Sequence, residues 1–254
     1  MNEKLVSQAV VSQAVLAEPL LQVREVAKNF GGFQALAGIS LTVAPGEIVG
    51  LIGPNGSGKT TLINVISGLL IADSGEVDLG GHDITRLAAY RRAALGINRT
   101  FQVPKPFHTL TVRENLEVAV PRDHHATDID AILHSLELDL VSKRQAGELT
   151  SVQQKMLDLG RALATRPRLL LVDELACGLN PTELERVAAR LLALAEQDGL
   201  GLVVVEHLMP FIDKITHRVV VMNAGAAIFR GTLRDAAHDP QVVEVFLGSP
   251  EHAA

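Results

Sequence analysis

Apolar residues along this chain fall into three kinds of pattern. Alternation in Leu21-Gln22-Val23-Arg24-Glu25-Val26 and in Ile39-Ser40-Leu41-Thr42-Val43 predicts strands, with a turn at Gly31-Gly32 between them. Uniformly apolar runs at Leu169–Val172 and Leu202–Val205 predict short strands buried on both faces, as in a parallel sheet. Helical spacing runs from Thr111 to about Gly160, and a long amphipathic helix is predicted from about Pro181 to Glu196. Glu47–Ile52 and Glu76–Leu79 read as two further strands, the second following a break at Asp73-Ser74-Gly75. Strands alternating with helices imply an α/β fold around a largely parallel sheet. Pro104 and Pro106 interrupt regular structure, so the helical stretch behind them is expected to form a small lobe inserted in the core.

Between the strand Glu47–Ile52 and the helix opening at Thr61 lie Gly53, Pro54, Asn55, Gly56, Ser57, Gly58, Lys59 and Thr60. They satisfy the phosphate-binding loop pattern G-x-x-x-x-G-K-[ST] at every fixed position. Glycines let consecutive backbone N–H groups converge on a phosphate, and the helix N-terminus adds partial positive charge. Lys59 can reach the outer phosphates, and the Thr60 hydroxyl can hold magnesium. The two apolar strands end in Asp173-Glu174 and in Glu206-His207, where an open α/β sheet places its ligand. Asp173 can complete a magnesium shell, and Glu174 can polarise a water for attack on the outermost phosphorus. His207 either hydrogen-bonds the terminal phosphate or is a structural histidine, and the residue alone does not decide between them.

Composition narrows the class. A 254-residue chain that is 47% hydrophobic can form one large α/β domain, or a core with a smaller lobe. The net charge of -6 argues against a nucleic-acid surface as the main business. Cys177 is the sole cysteine, so neither an intramolecular disulfide nor a cysteine-based zinc cage can form within the chain. No stretch approaches the ~18 uninterrupted apolar residues of a membrane span. His124-His125 reads as a solvated loop. The direct repeat Val6–Val10 and Val11–Val15 makes a poor secretory signal and is expected to be a flexible leader.

Phosphate loop, Gln102, inserted helical lobe, Asp173-Glu174 and His207, in that order, resemble the ATPase subunit of the ATP-binding cassette (ABC) family over about residues 20 to 250. The resemblance implies a P-loop NTPase fold of ABC type, with an antiparallel β part and a small inserted helical lobe. The expected division is a leader over residues 1–19 and one domain over 20–254, with the core at about 20–103 and 161–254 and the lobe at about 104–160. It implies ATP and Mg2+ as cofactors, bound by residues 53–60 together with Thr61. Phe30 sits where an aromatic ring stacks on adenine, Gln102 where a glutamine senses magnesium and water, and Gly178-Leu179-Asn180 at a loop that communicates across a dimer. Glu174, His207 and Gln102 are then the catalytic set, and Thr60, Gln102 and Asp173 the metal set.

Gly96–Gln102, Ala176–Pro181 and the tail with Gly231-Thr232, Asp239-Pro240 and Phe246-Leu247-Gly248 are similar to branched-chain amino-acid importer ATPases. Urea/amide-import and lipopolysaccharide-export ATPases share parts of this pattern. Implied partners are a second ATPase subunit (homo- or heterodimer), transmembrane permease subunits and, indirectly, a solute-binding protein, with no nucleic acid. The implied location is cytoplasmic, on the inner face of the membrane through the permease. The family signature, roughly Leu-Ser-Gly-Gly-Gln, falls at Leu149-Thr150-Ser151-Val152-Gln153, with Val152 where a glycine lets the backbone approach the partner's ATP. Leu175 replaces a usual proline. Because of Val152, a heterodimer with one weakened site, or a module that signals by ATP-driven closure alone, stands beside the transport ATPase as an alternative.

Overall fold

In the computed structural model, residues 18–121 and 127–247 are described. The repeat of residues 6–15 and His124-His125 lie outside them. Ten strands are present among the described residues: β1 (Leu21–Phe30), β2 (Phe33–Val43), β3 (Ile48–Ile52), β4 (Ser74–Leu79), β5 (His82–Asp83), β6 (Ile97–Arg99), β7 (Leu169–Asp173), β8 (Gly201–Val205), β9 (Arg218–Asn223) and β10 (Ala226–Gly231). They form an antiparallel sheet in the order β2-β1-β4-β5 and a six-stranded sheet in the order β10-β9-β3-β8-β7-β6. In the larger sheet β3, β6, β7, β8 and β9 run parallel, and β10 closes one edge antiparallel to β9.

The uniformly apolar strands have a direct physical reason. Side chains alternate across a sheet, and both faces here are covered. Ile48, Leu170, Val172, Leu202 and Val204 join a core shared with the helices of the lobe. Val49, Leu51, Leu169, Leu171, Val203 and Val205 join a second core under the antiparallel sheet.

The helix α1 (Lys59–Ser67) lies in that second core through Leu62, Ile63, Val65 and Ile66. Its C-terminal carbonyls are met by Arg92, a fully buried side chain on α2 (Ala89–Ala94). Arg92 Nη1 donates to the carbonyls of Val65 at 2.7 Å and Ile66 at 2.9 Å, and its other nitrogens reach Leu87 and Thr85. Burial lowers its pKa to about 10, so it remains charged at neutral pH, opposite the negative end of the helix dipole.

The lobe contains α3 (Val112–Ala119), α4 (Ile129–Ser135) and α5 (Ser151–Ala164). Thr111 with Glu114, and Thr150 with Gln153, form reciprocal capping boxes that fix where α3 and α5 begin. At Gly160 a Cβ would come within 3.0 Å of Leu116 and Leu136, so α5 packs against α3 and α4 at close range. Helix α5 crosses the expected boundary between lobe and core at residue 160 without interruption. Helices α6 (Pro181–Asp198) and α7 (Met209–Ile215) complete the cover on this face.

Two strands extend beyond the alternating pattern. Ala27–Phe30 and Phe33–Ala37 pair across the hairpin although several of their side chains are exposed, because the backbone ladder continues past the buried face. Helix α6 likewise reaches Asp198, two residues further than its apolar spacing indicates, and stops at Gly199 in a left-handed conformation.

Candidate nucleotide site

The loop leaves β3 and folds back over the start of α1. Gly58 has φ +104°, and a Cβ there would lie 2.6 Å from the Ala35 carbonyl oxygen, so both the conformation and the space require glycine. Gly53 is as confined: a Cβ would meet the Met222 carbonyl oxygen at 2.2 Å. Lys59 is buried, and its ammonium donates to the carbonyls of Gly53 at 2.8 Å and Pro54 at 2.9 Å. It thus arches over its own loop. Burial lowers its pKa, while the carboxylates of Glu174 and Asp173 act in the opposite direction. A cavity of about 220 Å³ opens over the loop, walled by Phe33, Lys59, Thr60, Thr61, Glu174 and His207.

Three catalytic candidates meet at one carboxylate. Glu174 Oε1 is 3.1 Å from His207 Nε2, and its Oε2 accepts from Gln102 Nε2 at 2.6 Å. Since a carboxylate only accepts, the amide nitrogen of Gln102 faces it and the amide oxygen is left as a donor for a cation. Glu174 has φ +49°, a left-handed backbone that side-chain-bearing residues rarely adopt. Asp173, the last residue of β7, is buried and pairs with Arg99 at 3.2 Å. Burial raises its pKa and Arg99 opposes the rise.

Thr60, Asp173 and Gln102 each carry an oxygen of the hard kind that magnesium prefers, and Thr60 lies on the cavity wall. No group of three or more His, Cys, Asp or Glu able to hold a metal occurs among the described residues.

Phe30 is the ring that the family resemblance sets against adenine. It ends β1, half-exposed, with the Lys28 ammonium 5.8 Å from its ring centroid. The cavity wall carries Phe33, its partner across the hairpin. Phe33 escaped sequence reasoning because only strand register brings it to the loop. Four other side chains were equally hidden. Arg99 binds Asp173, and Asn64 on α1 accepts from Arg99 at 2.6 Å. Asp158 on α5 accepts from the Phe101 N–H at 2.8 Å, tying the segment before Gln102 to the lobe. Glu206, buried at the end of β8, accepts from the Ala176 N–H at 2.6 Å. A buried acid just before His207 was the one available signal.

At the other end of the lobe, Thr150 caps α5 and Val152 is its second residue. Val152 is not among the positive-φ residues, so its backbone has an ordinary conformation. Its side chain lines a cavity of about 430 Å³ with Met156, Leu159, Leu179 and Val187, between the lobe and α6.

Residues 36–176 match the family profile described as ABC transporter. A probable branched-chain amino acid transport ATP-binding protein, LivG, of Archaeoglobus fulgidus is 36% identical over 91% of this chain and 96% of its own length. A high-affinity branched-chain amino acid transport ATP-binding protein, BraF, of Pseudomonas aeruginosa is 32% identical over 92% and 99%. Among solved structures, a nucleotide-free ATP-binding cassette from an ABC transporter superposes with a TM-score of 0.83 at 32% identity, covering 91% of this chain and all 100% of the other. Profile, relatives and fold agree with the geometry of the loop and strand ends, and the chain belongs to the ABC transporter family as an ATP-binding cassette.

Proposed function

We propose that the chain is the ATP-hydrolysing subunit of an importer for branched-chain amino acids. The hydrolysis rests on the carboxylate of Glu174, held between His207 and Gln102 at the mouth of the phosphate loop, and the imported solute rests on the similarity to LivG and BraF. ATP would place its phosphates against the loop N–H groups and the start of α1. Lys59 then exchanges its carbonyl partners for phosphate oxygens. Glu174 accepts the proton of the attacking water, and His207 donates to the terminal phosphate. Thr60, Asp173 and Gln102 would hold magnesium, which when bound offsets the charge on the phosphates. Phe33 on the cavity wall offers an aromatic face to adenine.

No described helix is long and apolar enough to cross a membrane, and we assign that step to separate permease subunits. A groove of about 240 Å³ lined by Leu69, Tyr90 and Phe101, whose apolar side chains are exposed, lies next to Gln102 and suits a short permease helix. The chain would therefore work at the cytoplasmic face, as one of two cassettes and with a solute-binding protein outside. Val152 favours a second reading, in which a different cassette completes the dimer and this chain's signature serves the slower site.

Uptake of labelled leucine, isoleucine and valine by cells carrying Glu174→Gln in place of the native residue tests the assignment. Uptake of all three is expected to fall to background. Unchanged amino-acid uptake with loss of urea or amide uptake would move the chain to a related importer.

A further inference from the structure

The residues just after Glu174 are held by a side chain from the signature helix. Lys155, on α5, donates to the carbonyls of Glu174 at 3.1 Å, Leu175 at 3.3 Å and Cys177 at 2.6 Å. An ammonium has three N–H donors, and here three carbonyls of one short loop converge on it. The same loop is fixed from the opposite side, because the Ala176 N–H donates to buried Glu206 at 2.6 Å and the Glu174 N–H donates to the Val205 carbonyl at 2.9 Å. Glu174 itself sits at φ +49°. Strained backbone of this kind persists where surrounding contacts over-determine it. Removing the cation would leave the three carbonyls facing one another, and rotation of Glu174 out of the left-handed region relieves both problems at once.

We propose that Lys155 is a positioning residue for catalysis: it holds Glu174 in its working backbone conformation and joins that conformation to the helix carrying the signature. The inference rests on the reading of Glu174 as general base. It adds a route between the two ends of the cassette, since displacement of the N-terminal half of α5 moves the ammonium on which the 174–177 loop is hung. Gln102 and His207 orient the carboxylate from the front, and Lys155 fixes the backbone from behind.

The test compares Lys155→Met, Lys155→Arg and Glu174→Gln with the unsubstituted chain, reading kcat and KM for ATP hydrolysis. Binding of ATP is measured separately, with Lys155→Met placed in the Glu174→Gln background so that no turnover intervenes. Lys155→Met is expected to lower kcat at least ~10-fold, because an ångström of misplacement at a reacting group can cost up to about 100-fold. ATP affinity is expected to stay within about twofold, and Lys155→Arg to recover most of kcat. Unchanged kcat in Lys155→Met would overturn the proposal, as would a loss of ATP binding that accounts for the whole defect. If Lys155→Met does not fold, Lys155→Gln carries the same test: it is neutral and too short for the three-way contact, and undiminished kcat there is equally fatal. Turnover that survives Glu174→Gln would instead remove the general-base reading, whatever Lys155→Met does.

Discussion

The two ends of this cassette are built to different standards of completeness. At the phosphate loop every position that touches nucleotide in the proposed function agrees with its neighbours: glycines stand where a Cβ would collide, Lys59 is buried, and Glu174 has two partners. At the signature the helix start is equally well formed, with Thr150 and Gln153 capping each other, yet Val152 occupies the place where the family has glycine. The contrast separates two jobs of glycine. In the loop, Gly58 permits a left-handed backbone that valine could not adopt. At position 152 the backbone is ordinary, so the substitution adds bulk without strain. The expected consequence is a steric limit on approach to a partner's nucleotide, with the fold intact.

Substitutions can be ranked by how strongly each separates the two ends. Lys59→Met should have the largest effect, lowering ATP hydrolysis roughly a thousandfold, in the range found when a donor to developing charge is removed. Steady-state phosphate release checks it, and a residual rate near the starting value would show that the loop lysine is not the phosphate ligand. Arg92→Met acts on the same end through stability. It strips carbonyl partners from the end of α1 and should cost about 3 kcal/mol in urea unfolding, since hydrogen bonds from a charged donor contribute roughly 1.5–3 kcal/mol.

Val152→Gly addresses the other end and should work in the opposite sense. Turnover is expected to rise a few-fold while the helix loses only a few tenths of a kcal/mol, roughly the difference between the valine and glycine propensities. A fall in turnover with the same destabilisation would mean that valine is accommodated and that its packing matters more than its bulk.

The smallest expected effect is on pH dependence. Burial raises the pKa of Glu206, against the lowering effect of hydrogen bonds from the Ala176 and His207 N–H groups. A carboxyl whose folded pKa lies above its unfolded value contributes stability that is complete below the unfolded value and lost as pH rises through the folded one. Glu206→Gln removes that titration. The melting temperature of the variant should therefore gain on that of the parent as pH rises from about 4 to 7, at about 2–4 °C for each kcal/mol. Parallel melting curves across that range would contradict it.

The legibility of the site in the sequence follows the same division between local and distant causes. Gly53 to Thr60 could be read because the loop's chemistry is set by consecutive residues. Asp173 and Glu174 could be proposed because an apolar strand points to its own end, whereas His207 needed the family order of motifs. Phe33, Arg99 and Lys155 could not, since each acts on a residue brought near by sheet register or by packing of the lobe, and Glu206 was legible only as an acid at a strand end. The family resemblance set the adenine-facing ring at Phe30, while strand register brings Phe33 to the cavity wall. Helical periodicity suggested a lobe ending near residue 160, whereas α5 runs on to Ala164 and packs closely on its two neighbours at Gly160.

The most direct test of the account is steady-state ATP hydrolysis by the purified chain beside its Glu174→Gln variant, with ATP binding measured on both. Magnesium-dependent phosphate release by the unsubstituted chain, lowered at least ~100-fold in the variant while ATP still binds, is the expected result. Release that the substitution leaves unchanged would contradict it, and ATP that the unsubstituted chain binds without turning over would replace a self-sufficient cassette by the dimer with a different one.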